Sequence, residues 1–196
     1  CGKFRTEQNA IYEAGSGRLV YLPPEPQDVP SLIEDLFDWI STASVHPIIQ
    51  AAIFHNQWVT IHPFMDGNGR SARILCLYLL DAGGYEWRQI VPIDRYYADD
   101  RARYYAMLQQ GCPHNYYDGR DVADFSDWIA YFAEGIVMML RGTINQIELY
   151  RTESVLMNNR QTRILQLLKE APFVTAADCV RRFHISSRMA SRDLTQ

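Results

Sequence analysis

Ile61-His62-Pro63-Phe64-Met65-Asp66-Gly67-Asn68-Gly69-Arg70-Ser71-Ala72-Arg73 decides how the rest of this chain is read. Asp66 supplies a carboxylate of the kind that holds Mg²⁺, a hard cation that takes oxygen ligands. Gly67, Asn68 and Gly69 make a short loop whose backbone can turn tightly and come close to a ligand. Arg70 to Leu80 is rich in helix formers. A glycine-bearing loop that opens a helix offers unpaired N–H groups and a positive dipole end to a phosphate. Arg70 and Arg73, three apart, stack on one side of the first turn, and two guanidiniums beside bare amides suit a polyphosphate. His62, on the loop side, has the titration range of a general base at neutral pH. By spacing alone, an ordinary turn followed by solvated arginines fits these residues as well as a phosphate site does.

Working outward, helical spacing dominates. Asp28-Val29-Pro30-Ser31 opens a helix to about Ser41, with Leu32, Ile33, Leu36, Phe37, Trp39 and Ile40 inward and Glu34, Asp35 and Asp38 outward. His46-Pro47 opens a second, which delivers the chain to Ile61. The helix after Arg70 stops near Gly83-Gly84. Asp124 starts a long core helix to about Leu156. Upstream, Ala10-Ile11-Tyr12 and Leu19-Val20-Tyr21-Leu22 read as two strands joined by a turn through Ala14-Gly15-Ser16-Gly17, making a hairpin over residues 5–22. His46, His55 and His62, nine and seven apart, do not match compact zinc spacings. His46 is expected at a helix start and His55 packed with a hydrogen bond.

Apolar residues make up 47% of 196, and the net charge is −4, as in a soluble globular protein. Of 19 basic and 23 acidic residues, eight basic and four acidic fall in 151–196, leaving an acidic body and a basic end. Nucleic acid is therefore excluded from the body and left open at the basic end. Cys1, Cys76, Cys112 and Cys179 are far apart, which reads as reduced thiols in a cytoplasmic protein. The Ile74–Leu80 apolar run is far short of the roughly 20 residues a membrane span needs, and no membrane role is expected. No signal peptide is visible, although a chain that opens at Cys1 without Met leaves a removed segment open.

His62 to Arg73 resembles the Fic motif, H-x-F-x-[D/E]-G-N-G-R-x-x-R, with no departure, and the resemblance extends over roughly residues 3–140. It implies a mainly α protein: a Fic-fold helical bundle with the hairpin as a flap over the site. It also implies AMPylation, the transfer of AMP from ATP to a Tyr, Ser or Thr hydroxyl of a target protein. On that resemblance His62 is the base and Phe64 anchors the loop. Asp66 holds Mg²⁺, and Gly67, Asn68 and Gly69 cradle phosphate oxygens, with the Asn68 side chain helping. Arg70 takes the β-phosphate and Arg73 the γ-phosphate. Val20 and Tyr21 match flap positions bordering the nucleotide, and the flap edge can pair with an extended segment of the target. Tyr104-Tyr105, with Leu108, match Y-Y-x-x-L, whose tyrosines bound base and sugar; Cys112 departs from an Asn that touches the nucleotide in some relatives. Relatives are often held off by a helix bearing [S/T]-x-x-x-E-[G/N]. Glu134-Gly135 comes nearest, but Ala130 stands where Ser or Thr is needed, so that helix is expected upstream or on a partner. Kinase and phosphocholine-transferase relatives reuse the fold; kinases tend to depart in the Gly-Asn-Gly segment, which is intact here.

From Asn158 the reading changes, giving domains 1–157 and 158–196. Arg160 to Lys169 is a helix, Thr175 to Asp178 a capping box opening a helix to Arg182, His184-Ile185-Ser186 a turn, and Ser187 the start of another helix. This looks like a helix-turn-helix of the winged kind, in which Ser187, Arg188, Ser191 and Arg192 would face DNA. A small helical module for a partner or homodimer contact fits equally. A DNA-binding regulator whose body senses nucleotide is thus an alternative to the enzyme.

Overall fold

The helix at the centre is buried nearly all round. In this computed structural model, which describes residues 2–13, 15–85, 92–110, 114–156, 158–170 and 173–195, α2 (Pro47–Ile61) buries Ala51, Ala52, Phe54, His55, Asn56, Trp58, Thr60 and Ile61. Three of these are polar, and each has a partner. His55 Nε2 lies 2.9 Å from the Tyr104 hydroxyl, Asn56 Nδ2 donates to the Leu108 carbonyl at 3.4 Å, and the Thr60 hydroxyl donates to the Asn56 carbonyl at 2.8 Å. Buried polar groups stay in a core when they are paired in this way. His46 precedes α2, and its Nδ1 accepts from the Ile48 amide, so both histidines take the structural positions expected of them.

The other elements pack around α2. α1 (Val29–Thr42) buries Val29, Ile33 and Leu36. α3 (Asn68–Ala82) turns Ala72, Cys76 and Leu80 inward, four apart along one stripe. The two small residues allow a close approach, and the Cys76 thiol donates to the Ala51 carbonyl at 3.3 Å. Residues 95–110 do not form one helix. Asp100 separates α4 (Ile93–Asp99) from α5 (Arg101–Gln109), and its carboxylate caps α5 by accepting from the Arg103 amide at 2.9 Å. α6 (Ser126–Leu156) buries Trp128, Tyr131, Phe132 and Ile136, and the Trp128 indole donates to the Ala52 carbonyl at 2.7 Å. Further along α6, Ile144, Ile147, Leu149 and Tyr150 are exposed, so its second half is not the core helix that its apolar content implied.

The hairpin pairs β1 (Ile11–Tyr12) with β2 (Leu19–Tyr21), antiparallel, with Ile11 opposite Tyr21 and Tyr12 opposite Leu19. The other edge of β2 is occupied. The Leu22 amide donates to the His114 carbonyl at 2.8 Å, the Tyr116 amide donates to the Leu22 carbonyl at 3.0 Å, and His114 Nδ1 lies 2.8 Å from the Val20 carbonyl. The polar loop from His114 to Arg120 thus covers the hairpin, and among the described residues the edge with no backbone partner is that of β1. Arg120 fixes this loop to α2, donating to Gln57 and Thr60 at 2.7 Å each and lying 4.2 Å over the Tyr116 ring.

The chain forms two units, Cys1–Arg141 and Gly142–Gln196. The division falls inside α6. In the second unit, α7 (Asn159–Glu170), α8 (Ala176–Phe183) and α9 (Ser187–Thr195) enclose Ile164, Cys179 and Ala190. Thr175 and Asp178 form the expected capping box. No helix among the described residues is long and apolar enough to cross a membrane.

Burial of His55 has a consequence for stability. Its pKa is pushed down to about 3 by burial, with the Arg73 charge adding to the effect, while the unfolded chain titrates near 6.5. Below about pH 6.5 the unfolded state therefore binds a proton that the folded state refuses. Stability is expected to fall by about 1.4 kcal/mol per pH unit between those values. Urea midpoints at pH 7 and pH 5 check this: the drop should be smaller in His55→Gln, which has no group to titrate.

Candidate active site

His62 ends α2 in the left-handed conformation, at φ 54° and ψ 58°, and its amide still donates to the Trp58 carbonyl at 3.1 Å. Its Nδ1 lies 3.0 Å from the Val59 carbonyl. A carbonyl only accepts, so the ring proton sits on Nδ1 and the Nε2 lone pair is left to receive a proton. Burial pushes the pKa of the imidazole below its ordinary value; the bond to Val59 works against this and the Arg5 charge works with it. His62 is therefore neutral at neutral pH.

The turn that presents His62 is held by Arg5, which is 4% exposed. Its Nε donates to the His62 carbonyl at 2.9 Å, its Nη1 donates to the Glu7 carbonyl and to Gln8 Oε1 at 3.2 Å each, and its Nη2 donates to the Pro24 carbonyl. The Arg5 amide donates to the Pro63 carbonyl at 2.9 Å. One guanidinium thus ties the hairpin base to the end of α2. Nothing in the spacing around Arg5 marks it, because the partners that tie it to the site are backbone carbonyls of distant residues, His62 and Pro24.

The loop from Phe64 to Asn68 is closed from within. Asn68 is buried; its Oδ1 accepts from the Phe64 amide at 2.8 Å and its Nδ2 donates to the Phe64 carbonyl at 2.7 Å. Both ends of the side-chain amide are thereby used. The Asn68 side chain, expected to help with phosphate, thus shapes the loop through its oxygen and one N–H of its nitrogen, and Asn68 also lines the cavity of the site. The Phe64 ring packs on Trp58 and Phe4 at centroid distances of 6.1 and 5.9 Å, anchoring the loop as expected. The two glycines have different reasons. Gly67 sits at φ 91°, a conformation that side-chain-bearing residues resist. At Gly69 a Cβ would lie 3.1 Å from Arg73 Nη1, so its bare backbone leaves room for that guanidinium.

α3 begins at Asn68, and the amides of Asn68, Gly69 and Arg70 lie in its first turn, where a helix supplies no partner of its own. Ser71 ties this turn to α2: its hydroxyl donates to the Gly67 carbonyl at 2.9 Å and accepts from the Trp58 indole at 2.8 Å. Asp66 Oδ1 accepts from the Gly67 amide at 2.6 Å, and its Oδ2 pairs with Arg70 at 3.1 Å. Arg73 pairs through Nε with Asp94 at the start of α4, at 2.5 Å. Glu134 is engaged elsewhere, with Arg103 at 2.9 Å and the Tyr96 hydroxyl at 3.2 Å. The acidic partner of Arg73 is therefore Asp94, which no motif points to.

A cavity of about 280 Å³ is lined by His62, Met65, Asp66, Gly67, Asn68, Gly69, Arg70 and Arg73. Seven of the residues singled out by sequence thus converge on one place. Four others do not line it. Tyr21 is a core residue whose hydroxyl donates to the Thr60 carbonyl at 2.9 Å, and Val20 lies beside it under His114. Tyr104 is 6% exposed, with its ring among Tyr97 and Trp128 and its hydroxyl on His55. Tyr105, beside it, is exposed. Tyr21 and Tyr104 are corrected accordingly: alternation along β2 and the inward face of α5 turn both rings into the core. Cys112 lies outside the described residues.

The model of the Fic/DOC family matches residues 2–80. This chain carries a Fic/DOC-family domain. The Fic domain is 37% identical over 111 residues to the protein adenylyltransferase Fic of Drosophila willistoni, a match covering 55% of this chain and 20% of that protein. It is 37% identical over 110 residues to the protein adenylyltransferase fic-1 of Caenorhabditis elegans, covering 55% and 19%. The chain thus spans about a fifth of the length of these curated relatives. Among solved structures, a Fic family protein from Desulfovibrio desulfuricans superposes with a TM-score of 0.64 at 21% identity, over 98% of this chain and 54% of that one. A Fic domain containing signaling protein from Bacteroides thetaiotaomicron gives 0.59 at 24% identity, over 73% and 54%. At these identities the structural likeness establishes the fold.

Whether the site suits Mg²⁺ can be tested on its donors. Asp66 presents a carboxylate whose side chain is 90% exposed, next to the first-turn amides. Mg²⁺ in phosphate sites takes one or two protein carboxylates and completes its shell with phosphate and water oxygens, so the residues present fit it.

Proposed function

We propose that the Fic domain is a protein adenylyltransferase that transfers AMP from ATP to a hydroxyl side chain (Tyr, Ser or Thr) of a target protein. The observation that carries this reading is the free Nε2 of His62, fixed by the Nδ1 contact to Val59 on the rim of a cavity that also holds Arg70, Arg73 and the first-turn amides. In the reaction, the target oxygen attacks the α-phosphorus and the bond to the bridging oxygen breaks. Pyrophosphate leaves, and the hydroxyl proton goes to His62 Nε2. The amides of Asn68, Gly69 and Arg70 receive phosphate oxygens, Arg70 takes the β-phosphate and Arg73 the γ-phosphate, so that rate comes from positioning and fixed charge. Asp66 would hold Mg²⁺, which supplies charge neutralisation on the phosphates when bound. The names of the relatives and the intact Gly67-Asn68-Gly69 segment support AMP transfer over phosphoryl or phosphocholine transfer. Residues 1–157 would carry this activity, with 158–196 as a separate module, in a cytoplasmic protein whose Cys76 and Cys179 are free thiols.

The test uses the purified chain, Mg²⁺ and ATP labelled separately at the α- and γ-phosphate. Label from the α position on protein is the expected result. Label from the γ position identifies a kinase and overturns the proposal.

The Arg73–Asp94 pair yields a further expectation. The γ-phosphate must compete with Asp94, whose side chain is 69% exposed. Exposed pairs are worth about 0.2–1 kcal/mol, so Asp94→Asn should lower KM for ATP by up to about five-fold with little change in kcat. A higher KM would show that the carboxylate orients Arg73 and does not compete for it.

A further inference from the structure

α8, the turn at residues 184–186 and α9 form a helix-turn-helix whose outer face is unoccupied by the rest of its unit. His184 ends α8 in the left-handed conformation at φ 53°, reversing the chain in three residues. Ser186 then caps α9: its hydroxyl accepts from the Met189 amide at 3.3 Å, and its carbonyl accepts from Ala190 at 2.9 Å. α9 turns Ala190 and Asp193 inward, and the two are buried. Ala190 meets Cys179 of α8, and two residues this small bring the helices close. Asp193 accepts from Arg160 of α7 at 2.9 Å, which locks α9 to the rest of the unit. Fixing a helix on two sides in this way leaves its third side as a rigid surface.

The residues on that side are Ser187, Arg188, Ser191 and Arg192, all exposed. They occupy adjacent positions in successive turns and form one face. The charges around them are one-sided. Residues 158–196 hold seven basic and three acidic residues. Asp193 is paired with Arg160, and Asp178 is paired with Arg181 at 2.6 Å while capping α8. Arg182, Arg188 and Arg192 are exposed and make no ion pair among the described residues. A helix with its side chains is about 10–12 Å across and the major groove of B-form DNA is about 12 Å wide, so α9, nine residues long, can lie in it.

We propose that residues 158–195 bind duplex DNA, with α9 presented to the major groove and Ser187, Arg188, Ser191 and Arg192 facing the phosphates and base edges. Charge complementarity selects this occupant: unpaired arginines and small hydroxyls suit phosphates and base edges, and the large apolar side chain exposed on α9 among the described residues, Leu194, is too little surface to hold a protein helix. DNA binding of this kind is separate from AMP transfer and stands whatever the Fic domain transfers.

The whole chain is titrated against a fluorescein-labelled duplex of mixed sequence, with fluorescence anisotropy read between 50 and 200 mM NaCl. Affinity should fall as salt rises, with a log–log slope of about −0.9 for each phosphate contacted. Arg188→Gln with Arg192→Gln should weaken binding at least ten-fold and reduce the slope by about two. Both residues are exposed, so the melting temperature should not move. Arg95→Gln with Arg101→Gln removes the same charge from the other unit and should leave binding intact. Three results would overturn the proposal: no binding at 50 mM salt, equal loss in both double variants, or equal affinity for double-stranded RNA, whose narrow major groove excludes a helix.

Discussion

His62→Ala is expected to lower AMP transfer by about 10²–10⁴-fold, the range that a positioned general base contributes, while the affinity for ATP stays close to wild type. The separation of the two effects follows from geometry. His62 stands on the rim, at the end of α2, whereas the groups assigned to phosphate lie beyond the loop in Arg70, Arg73 and the first turn of α3. Removing the imidazole takes away the proton acceptor and leaves that cradle in place. α-labelled ATP read on protein gives the rate, and equilibrium binding gives the affinity. A parallel loss of ATP binding would show that His62 contributes to the nucleotide site itself. The wild-type pH profile should carry the same signature. With His62 as the proposed base, transfer needs the neutral imidazole, and burial lowers its pKa. The acid limb of the rate profile should therefore fall below the ordinary histidine value near 6.5, with a plateau above it and no limb in His62→Ala.

Asn68→Ala should be nearly as damaging, by a different route. Asn68 closes the loop with two bonds to one residue, at 2.8 and 2.7 Å to the amide and carbonyl of Phe64. Alanine leaves the Phe64 amide without its partner; the carbonyl keeps only a contact from Asn9 Nδ2 at 3.4 Å. Leaving such groups unpaired costs about 1–3 kcal/mol, which should appear as a lower melting temperature. The larger effect is on position. Asp66 and the amides of α3 are placed by this loop, and a displacement of about 1 Å can cost about 10²-fold in rate. Asn68→Asp separates the two bonds, since a carboxylate still accepts from the Phe64 amide but has no N–H for its carbonyl. Its melting temperature and kcat should fall between wild type and alanine. An Asn68→Ala variant with unaltered kcat would mean that the Phe64 ring alone, packed on Trp58 and Phe4, holds the loop.

Much of the site was legible because its parts are local. His62, Asp66, Gly67, Asn68, Gly69, Arg70 and Arg73 fall within twelve residues, and a loop feeding a helix brings neighbours in sequence together in space. The helices were legible for a similar reason, since a 3.6-residue period is written along α1 and a capping box marks the start of α8. The tyrosines were not. Tyr21 and Tyr104 were placed beside the nucleotide by resemblance alone, but which side of a strand or helix meets the core depends on what lies opposite. Here that is Thr60 and His55 on α2.

By itself, then, the sequence determined the Fic resemblance, the helical class, the position of the glycine loop and the chemical type of each group around it, because each rests on residues close together in the chain. The tertiary structure decided which of those groups are free to act. It placed Asp94 on Arg73, Arg5 on the carbonyl of His62, Phe64 on Asn68 and residues 114–116 along β2. Three of these contacts join residues distant in sequence, through single ion pairs or backbone carbonyls that every residue carries. Such contacts leave no pattern in composition or spacing, and only the folded chain creates them.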